Sequence, residues 1–308
     1  MHVLRSTFLG LSRNRALRKF CERSALGQRL SSRFVAGTSI DDAIAVTQAL
    51  NSQGISVTLD SLGESVTSEV EAHRAADVYH RLLDWIASSK AKAHISIKLT
   101  QMGLDVDRDL AQSIAEELAR HARDAGSFMR IDMEESRLTQ ITLGIARRLQ
   151  SIADLRGSVG VAIQAYLYRS EDDIDQLIVE GIPVRLCKGA YKESAEIAFP
   201  RKGDVDKNYM RLAGKLLESR CHPAFATHDR AIVKTLKRLA RDRRIDRRRF
   251  EFQMLYGIRR DLQRSLAARE YPVRVYVPFG PDWYPYFMRR LAERPANAVF
   301  LARNLFRA

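Results

Sequence analysis

The chain has 308 residues, of which 45% are hydrophobic and 29% are charged, so it can bury a sizeable core and disorder is not indicated. It has no run of 18 apolar residues that could span a bilayer, and its three cysteines lack CxxC spacing, which argues against a disulfide framework or a zinc site; no metal is expected. The formal net charge of +14 suggests an anionic partner, such as acidic lipid or a phosphorylated cofactor.

The excess positive charge is concentrated in two blocks. One runs from Arg13 to Arg33, within a basic N-terminal segment (residues 1–37) that we expect to be helical, and the other runs from Arg238 to Arg249. Both are typical of solvated helix faces. No nucleic-acid motif accompanies them, so we expect no nucleic-acid partner, and attraction to an anionic membrane surface is the stronger functional alternative.

Beyond this segment, short apolar strands alternate with amphipathic helices. A capping pattern at 38–42 predicts a helix that continues to Leu50. Apolar residues at three- and four-residue spacing predict further helices over Val66–Ser89 and Asp107–Ala122. The predicted strands are Ile55–Leu59, His94–Leu99, Phe128–Asp132, Val159–Ala165, Pro183–Cys187, Ala224–Thr227, Phe250–Leu255 and Val273–Pro278.

Eight strands that are each followed by a helix predict an α/β fold, a (βα)8 barrel of the TIM type, over residues 38–308. The strands are apolar enough for a buried parallel sheet. A doubly wound sheet is the competing architecture. It is disfavoured because no GxGxxG follows the first strand and no GxxxxGK[ST] occurs in the chain.

Polar side chains lie at the carboxyl ends of the predicted strands, where a barrel builds its active site. They are Asp60, Glu64, Lys98, Asp132, Gln164, Arg185, Lys188, Thr227, His228, Gln253 and Tyr276. Taken singly, each has a structural alternative. Lys98 could simply form an ion pair with Asp132, and Asp132 could instead cap the next helix. His228 could be an ordinary loop residue.

The segment VRLCKGAYKES has a more specific pattern. Arg185 and Lys188 flank a strand end, and Gly189 and Ala190 allow the backbone to approach a ligand closely. An anionic, flat cofactor such as a flavin nucleotide fits this combination. A tight turn with surface charges explains the glycine but not the two cations.

The helix after the last strand has adjacent arginines, Arg289 and Arg290, that follow several aromatic residues. Two guanidinium groups can form a fork for a small carboxylate. Neighbouring helical residues point about 100° apart, so both can reach one ligand only if the helix lies across the barrel mouth. The alternative is a basic helix face held by Glu293.

Seven sequence blocks, in order, resemble those of the proline dehydrogenase family. They are ISIKLT, MRIDMEES, VAIQAYLYRS, VRLCKGAYKES, ATHDRA, FEFQMLYGI and RVYVPFGPDWYPYFMRRLAERPAN, and the resemblance covers residues 35–305. It implies a distorted (βα)8 barrel that holds FAD at the strand ends, with an N-terminal helical extension, in the monofunctional bacterial form. The activity it implies is oxidation of L-proline to Δ1-pyrroline-5-carboxylate, the first step of proline catabolism, with hydride transfer from proline C5 to flavin N5.

The resemblance also implies substrate-binding roles. Lys98, Arg289 and Arg290 would bind the proline carboxylate, and Tyr286 would pack on the pyrrolidine ring. Glu64 would act as a gate that pairs with the first of the two arginines. A related barrel flavoenzyme that oxidises hydroxyproline or another cyclic amino acid is the alternative, and Tyr286 would discriminate because it would crowd a ring hydroxyl.

Catalytic and cofactor-binding roles follow in the same way. Asp132 and Tyr276 would form a hydrogen-bonded pair at the site, with Arg185 near flavin N5. The residues implied to contact FAD are Met133, Gln164, Arg185, Lys188, Gly189, Ala190, Thr227 and His228. Cys187 replaces a valine common in the family, and Asp229 replaces an asparagine, which puts a cofactor contact from that side chain in doubt.

The partners that the resemblance implies are L-proline, a quinone electron acceptor and, for the product, functional coupling to pyrroline-5-carboxylate dehydrogenase. A reducing compartment fits the cysteine content, so we expect a cytoplasmic protein. Peripheral association with the inner face of the membrane is open, since +14 charges would suit docking on anionic lipid.

Overall fold

The computed structural model of the chain describes residues 32–63 and 65–293, and within these ranges the side chains up to residue 288. Most of the predicted basic segment 1–37, nearly all of the block from Arg13 to Arg33 and the predicted gate Glu64 therefore lie outside the described residues. The side chains of Arg289 and Arg290 also lie outside them, although the helix that carries these residues is described.

Eight parallel strands form a closed barrel in sequence order, which confirms the predicted fold class. The strands are β1 (Ser56–Ser61), β2 (Ala93–Ile97), β3 (Met129–Ile131), β4 (Val159–Gln164), β5 (Val184–Cys187), β6 (Ala224–Ala226), β7 (Glu251–Leu255) and β8 (Val273–Phe279). Each strand pairs with the next, and β8 pairs with β1 through six residue pairs, from Ser56 with Arg274 to Ser61 with Phe279.

Helices precede the first strand and follow every strand. They are α1 (Ile40–Asn51), α2 (Glu69–Ser89), α3 (Arg108–Asp124), α4 (Thr139–Ser151), α5 (Ser170–Glu180), α6 (Lys202–Glu218), α7 (Arg230–Asp242), α8 (Arg260–Ala267) and α9 (Trp283–Glu293). Three single turns of 3₁₀ helix, Ser136–Leu138, Ala153–Leu155 and Arg247–Arg249, lie in the connections. Within the described residues, no helix is both long and apolar enough to cross a bilayer.

Side-chain caps set where several helices begin. Ser39 and Asp42 form a capping box at the start of α1, as the sequence predicts. Ser68 accepts the N–H of Glu71 at the start of α2, so this helix begins three residues later than predicted. Asp107 caps α3 in the same way.

The strands bury apolar side chains on their outer face, against the helices. Val57, Leu59, Ile95 and Ile97 are fully buried there, and the equivalent positions of the other strands join the same core. Side chains alternate between the two faces of a strand, so the residues between these positions point into the barrel lumen. Many of those residues are polar or charged, whereas branched apolar side chains dominate most such lumens.

At the amino ends of the strands, the lumen contains a second set of charges. Arg274 donates from Nε to both carboxylate oxygens of Glu251, at 3.0 and 3.1 Å. Arg130 donates from Nη1 to the carbonyl oxygen of Pro183 at 2.6 Å. A Cβ at Gly160 would lie 2.4 Å from this Nη1 atom, so the glycine on β4 leaves the space that the guanidinium occupies.

His94, on β2, makes a pH-dependent contribution to stability that can be measured. Burial, together with the nearby Arg274 and Arg130, lowers the pKa of His94 well below its usual 6.5. As pH falls below 6.5, His94 is protonated in the unfolded chain but stays neutral in the folded barrel. We therefore expect the unfolding free energy to fall by up to about 1.4 kcal/mol per pH unit. Replacing His94 by Gln should remove this part of the slope in urea unfolding at pH 7, 6 and 5.

The matched control is His73→Gln, because His73 is half exposed on α2. This variant should keep the wild-type slope. An unchanged slope in His94→Gln would contradict the assignment of the pH dependence to His94.

Candidate active site

The carboxyl ends of the strands form a mouth in which residues from distant parts of the chain meet. Asp60 ends up beside Lys98, and Asp132 beside Arg185 and Tyr276. These residues follow or belong to β1, β2, β3, β5 and β8, so their contacts cross the lumen. The structure therefore brings together five of the strand-end residues that the sequence singles out.

Asp132 is the centre of this group. Its Oδ1 accepts hydrogen bonds from Arg185 Nη1 at 2.5 Å and from Ser96 Oγ at 2.8 Å, and its Oδ2 accepts one from the Tyr276 hydroxyl at 2.7 Å. The Arg185 guanidinium lies 5.2 Å from the centroid of the Tyr276 ring. Asp132 does not cap the following helix, so that structural alternative is wrong.

Lys98 forms its ion pair with Asp60, and not with Asp132 as the sequence analysis considered. Its Nζ lies 2.8 Å from Asp60 Oδ1, and 12% of its side chain is exposed. Burial alone would lower the pKa of Lys98. The carboxylates of Asp60 and Asp132 outweigh this effect, so the pKa of Lys98 lies above its usual range. The ammonium is therefore charged at neutral pH and lies near two carboxylates.

The ionisation of the three acidic groups differs. Burial raises the pKa of Asp60, and Lys98 only partly offsets this. Burial also opposes ionisation of Asp132, but Arg185 and Lys98 outweigh it and lower its pKa. Burial and then Asp132 raise the pKa of the Tyr276 phenol well above its usual range, so Tyr276 remains a hydrogen-bond donor.

Gln164 connects three of the loops around the mouth. Its Nε2 donates to the carbonyl oxygen of Glu134 at 2.8 Å, and its Oε1 accepts the N–H of Ala190 at 3.1 Å. The buried Glu134 side chain accepts from the backbone N–H of Thr100 at 3.1 Å. Met133, next to Glu134, is 7% exposed. The predicted cofactor contacts on β4 and after β5 are therefore held in one hydrogen-bonded frame.

The loop after β5 turns sharply at Gly189, which has φ +120°. A Cβ at this position would also lie 2.1 Å from the Tyr166 ring, so both the backbone and the neighbour require glycine. The buried Tyr166 hydroxyl has no hydrogen-bond partner among the described residues. Lys188 pairs with Asp206 on α6, so this cation and Arg185 are held by different partners.

The predicted contacts after β6 lie beside β7. Thr227 is buried, and its Oγ1 accepts the N–H of Asp229 at 3.1 Å. His228 Nε2 accepts the N–H of Leu255 at 2.9 Å, which fixes the ring with the proton on Nδ1. Asp229 caps α7 by accepting the N–H of Ala231 at 2.8 Å.

Helix α9 packs at the mouth. Tyr286 is 7% exposed and belongs to an apolar cluster that includes Leu62, from the loop after β1, and Ile258, from the loop after β7. These contacts place α9 against the loops after β1 and β7.

The sequence analysis missed the polar residues deeper in the lumen. They are Ser96, Arg130, Glu251 and Arg274. The sequence does contain a pattern that predicts them. Polar residues recur at every second position of the strands, as in His94-Ser96-Lys98 and Glu251-Gln253, so they lie on one face of each strand. Alternation of this kind within buried strands indicates a polar lumen.

The described residues include no group of three or more His, Cys, Asp or Glu side chains able to hold a metal ion. They fit an anionic organic cofactor better. At the mouth, β5 and the loop after it supply two cations, Arg185 and Lys188, beside the sharp turn at Gly189. The buried Tyr166 hydroxyl beside Gly189 adds a polar group without a partner among the described residues.

A closed (βα)8 barrel with buried, opposed charges at the carboxyl ends of its strands defines an enzyme of the TIM-barrel class. Comparison with known proteins narrows this class. The family model described as proline dehydrogenase matches residues 43–303. Proline dehydrogenase 1 from Bacillus subtilis (strain 168) is 42% identical over 306 residues, which cover 99% of this chain and 100% of the relative.

Two further comparisons agree. Proline dehydrogenase from Deinococcus radiodurans is 42% identical over 282 residues, with 90% of each chain covered. Among solved structures, proline utilization A (PutA) from Bdellovibrio bacteriovorus, inactivated by N-propargylglycine, superposes with a TM-score of 0.81 at 27% identity. The match covers 87% of this chain and 33% of that longer one. The chain belongs to the proline dehydrogenase family.

Proposed function

We propose that the chain oxidises L-proline to Δ1-pyrroline-5-carboxylate with FAD as its cofactor. The observation that carries the proposal is the cluster of Lys98, Asp132, Arg185 and Tyr276 at the barrel mouth. In this cluster, the Lys98 ammonium would bind the carboxylate of the substrate. The buried Arg185 guanidinium lies beside the neutral phenol of Tyr276. FAD, when bound, would accept the hydride from proline C5.

The residues of this chain would hold and orient the substrate. Lys98, Arg289 and Arg290 would bind the carboxylate, and Tyr286 would limit the space around the ring. Three cations around one carboxylate restrict its rotation, which lowers the entropic cost of reaching the reactive geometry. Glu64 would gate the site by pairing with Arg289.

A second group of residues would hold the cofactor. Arg185 would stabilise negative charge at the reacting end of the flavin. Asp132 and Tyr276 would keep the Arg185 guanidinium in place. The other side chains and backbone groups proposed to bind FAD are those of Met133, Gln164, Lys188, Gly189, Ala190, Thr227 and His228. The Tyr166 hydroxyl, which has no hydrogen-bond partner among the described residues, and the two cations at the end of β5 support a bound anionic group beside Gly189.

The absorbance spectrum of the purified protein tests the proposal. A flavin spectrum that bleaches when L-proline is added without oxygen is the expected result. A colourless protein that cannot be reconstituted with FAD would refute it, and so would a flavin that proline leaves oxidised.

Arg289→Lys and Arg290→Lys should each raise the KM for proline. Lysine keeps the charge but loses the planar fork that matches a carboxylate, so we expect an increase of about tenfold or more for each variant. Steady-state kinetics with full flavin occupancy measure this. An arginine whose replacement leaves KM unchanged is not a carboxylate ligand.

We propose a quinone as the electron acceptor and a separate pyrroline-5-carboxylate dehydrogenase as the enzyme that uses the product. The net charge of +14 supports reversible docking on anionic lipid. The block Arg238–Arg249 precedes β7, so it lies at the amino end of the barrel, away from the mouth. Docking through this block would turn the mouth away from the bilayer.

We therefore expect the block from Arg13 to Arg33 to contribute more to docking. The protein should co-sediment with phosphatidylglycerol vesicles at low salt and dissociate at high salt. Glutamine at the arginines of the N-terminal block should weaken binding more than the same change at Arg243, Arg244 and Arg248. Absence of co-sedimentation at low salt would remove the proposal.

A further inference from the structure

A line of hydrogen bonds runs through the lumen from its amino end to the candidate site. It begins at Glu251, whose carboxylate accepts from Arg274 Nε at 3.0 and 3.1 Å, while Arg274 Nη1 donates to the carbonyl oxygen of Val57 at 2.9 Å. Gln253, two residues later on β7, donates from Nε2 to Glu251 Oε1. Its own Oε1 accepts from Arg185 Nε at 2.6 Å. Glu251 is thus linked to Arg185 through one amide.

The charge on Glu251 decides which way this amide faces. Burial alone would raise the pKa of Glu251. The charge of Arg274 and the hydrogen bonds from Arg274 and Gln253 outweigh burial, so the pKa of Glu251 is lowered and the group is a carboxylate at neutral pH. A carboxylate only accepts hydrogen bonds, so the NH₂ end of Gln253 must face it. The carbonyl end then faces Arg185.

The opposite orientation of the amide would be costly for Arg185. It would place the NH₂ group of Gln253 against the Nε–H group, so two donors would meet in a buried position; Gln253 is 4% and Arg185 5% exposed. The guanidinium would have to move away, and its 2.5 Å contact from Nη1 to Asp132 would lengthen.

We propose that Glu251 is a positioning residue, which holds the Gln253 amide in one orientation and through it fixes the Arg185 guanidinium at the candidate active site. This inference rests on the proposed function, because the effect of Arg185 is measured on a bound flavin. The contacts of Glu251 with Gln253 and Arg274 place it in the lumen behind the site, and it acts only through its neighbours.

The experiment is a double-mutant cycle with Glu251→Gln and Gln253→Leu, measured on the FAD-loaded protein. The main readout is the midpoint potential of the flavin. Glutamine at 251 can present either end of its amide to Gln253, so the orientation is no longer fixed. We expect about a tenfold fall in the equilibrium constant for flavin reduction, which corresponds to about 30 mV for a two-electron couple.

Leucine at 253 removes the link but leaves the pair of Glu251 and Arg274 in place. It should lower the potential at least as much, and Glu251→Gln should then add nothing further. The matched control is Glu180→Gln, which removes a carboxylate paired with Arg147 on the outside of the barrel, at 2.8 Å, and should leave the potential unchanged.

A crystal structure of the Glu251→Gln apoprotein gives a readout that needs no flavin. The contact of Arg185 Nε with Gln253 should be lost or split between two conformers. Equal effects of Glu251→Gln in the wild-type and Gln253→Leu backgrounds would overturn the inference, as would an unchanged potential. If Glu251→Gln does not fold, a wild-type potential in Gln253→Leu alone overturns it. A wild-type protein that binds no flavin refutes the proposed function itself, and this inference with it.

Discussion

Replacing Arg185 by Lys should lower kcat by about 10²- to 10³-fold, the loss seen when one preorganised donor is removed from an active site. The guanidinium of Arg185 contacts Gln253 through Nε at 2.6 Å, and Asp132 and Ser96 through Nη1 at 2.5 and 3.1 Å. A lysine ammonium keeps the charge but cannot hold these separated acceptors in one plane. Stopped-flow reduction of the flavin by proline measures the effect on the chemical step.

Flavin content and thermal stability must be measured alongside, because Asp132 keeps only part of its hydrogen bonding in this variant. The control is Arg147→Lys, on the outside of the barrel, where the guanidinium contacts Glu180 and Gln176. It should reduce flavin at the wild-type rate. A reduction rate for Arg185→Lys within threefold of wild type, at full flavin occupancy, would show that Arg185 has no part in the chemical step.

Replacing Lys98 by Met should raise the KM for proline by about 10- to 200-fold, the range that corresponds to a charge-assisted hydrogen bond of about 1.5–3 kcal/mol. It should also destabilise the fold by about 3–5 kcal/mol, since Asp60 is 1% exposed and would lose its cation. Steady-state kinetics and urea unfolding measure the two effects separately.

The double variant Lys98→Met with Asp60→Asn separates substrate binding from folding. It removes both buried charges, so it should recover much of the lost stability while KM stays high. Lys215→Met is the surface control; Lys215 pairs with Asp175 and Glu171, is 35% exposed, and should change neither quantity appreciably. A double variant with a wild-type KM would show that Lys98 serves only to neutralise Asp60.

The sequence allowed the barrel and its strand ends to be predicted because both depend on local patterns. Alternating strands and amphipathic helices define the (βα)8 order, and the ends of the strands follow from it. The capping box at Ser39 and Asp42 is equally local. Strand bounds differ by one to a few residues, so that Lys98 and Asp132 lie just beyond β2 and β3.

The pairings across the lumen could not be predicted in this way. Lys98 has Asp60 and Asp132 on either side, and only the stagger of the barrel determines that it bonds to the first while Arg185 takes the second. Glu251 was missed for a related reason. A carboxylate at the start of a strand resembles a solvent-exposed residue until Arg274 is known to lie opposite it.

The ladder between β1 and β8 has a consequence for how the protein folds. It joins residues 56–61 to residues 274–279, and its six pairs are more than any other neighbouring strands of the barrel share. Contacts so distant in sequence form slowly, and the chain must be almost fully synthesised before they can form. Until then, Arg185 lacks the amide of Gln253 from β7, Asp132 lacks the hydroxyl of Tyr276 from β8, and Glu251 lacks Arg274 from β8. A nascent chain without β8 should therefore remain open and prone to aggregation, and a candidate active site should appear only when the barrel closes.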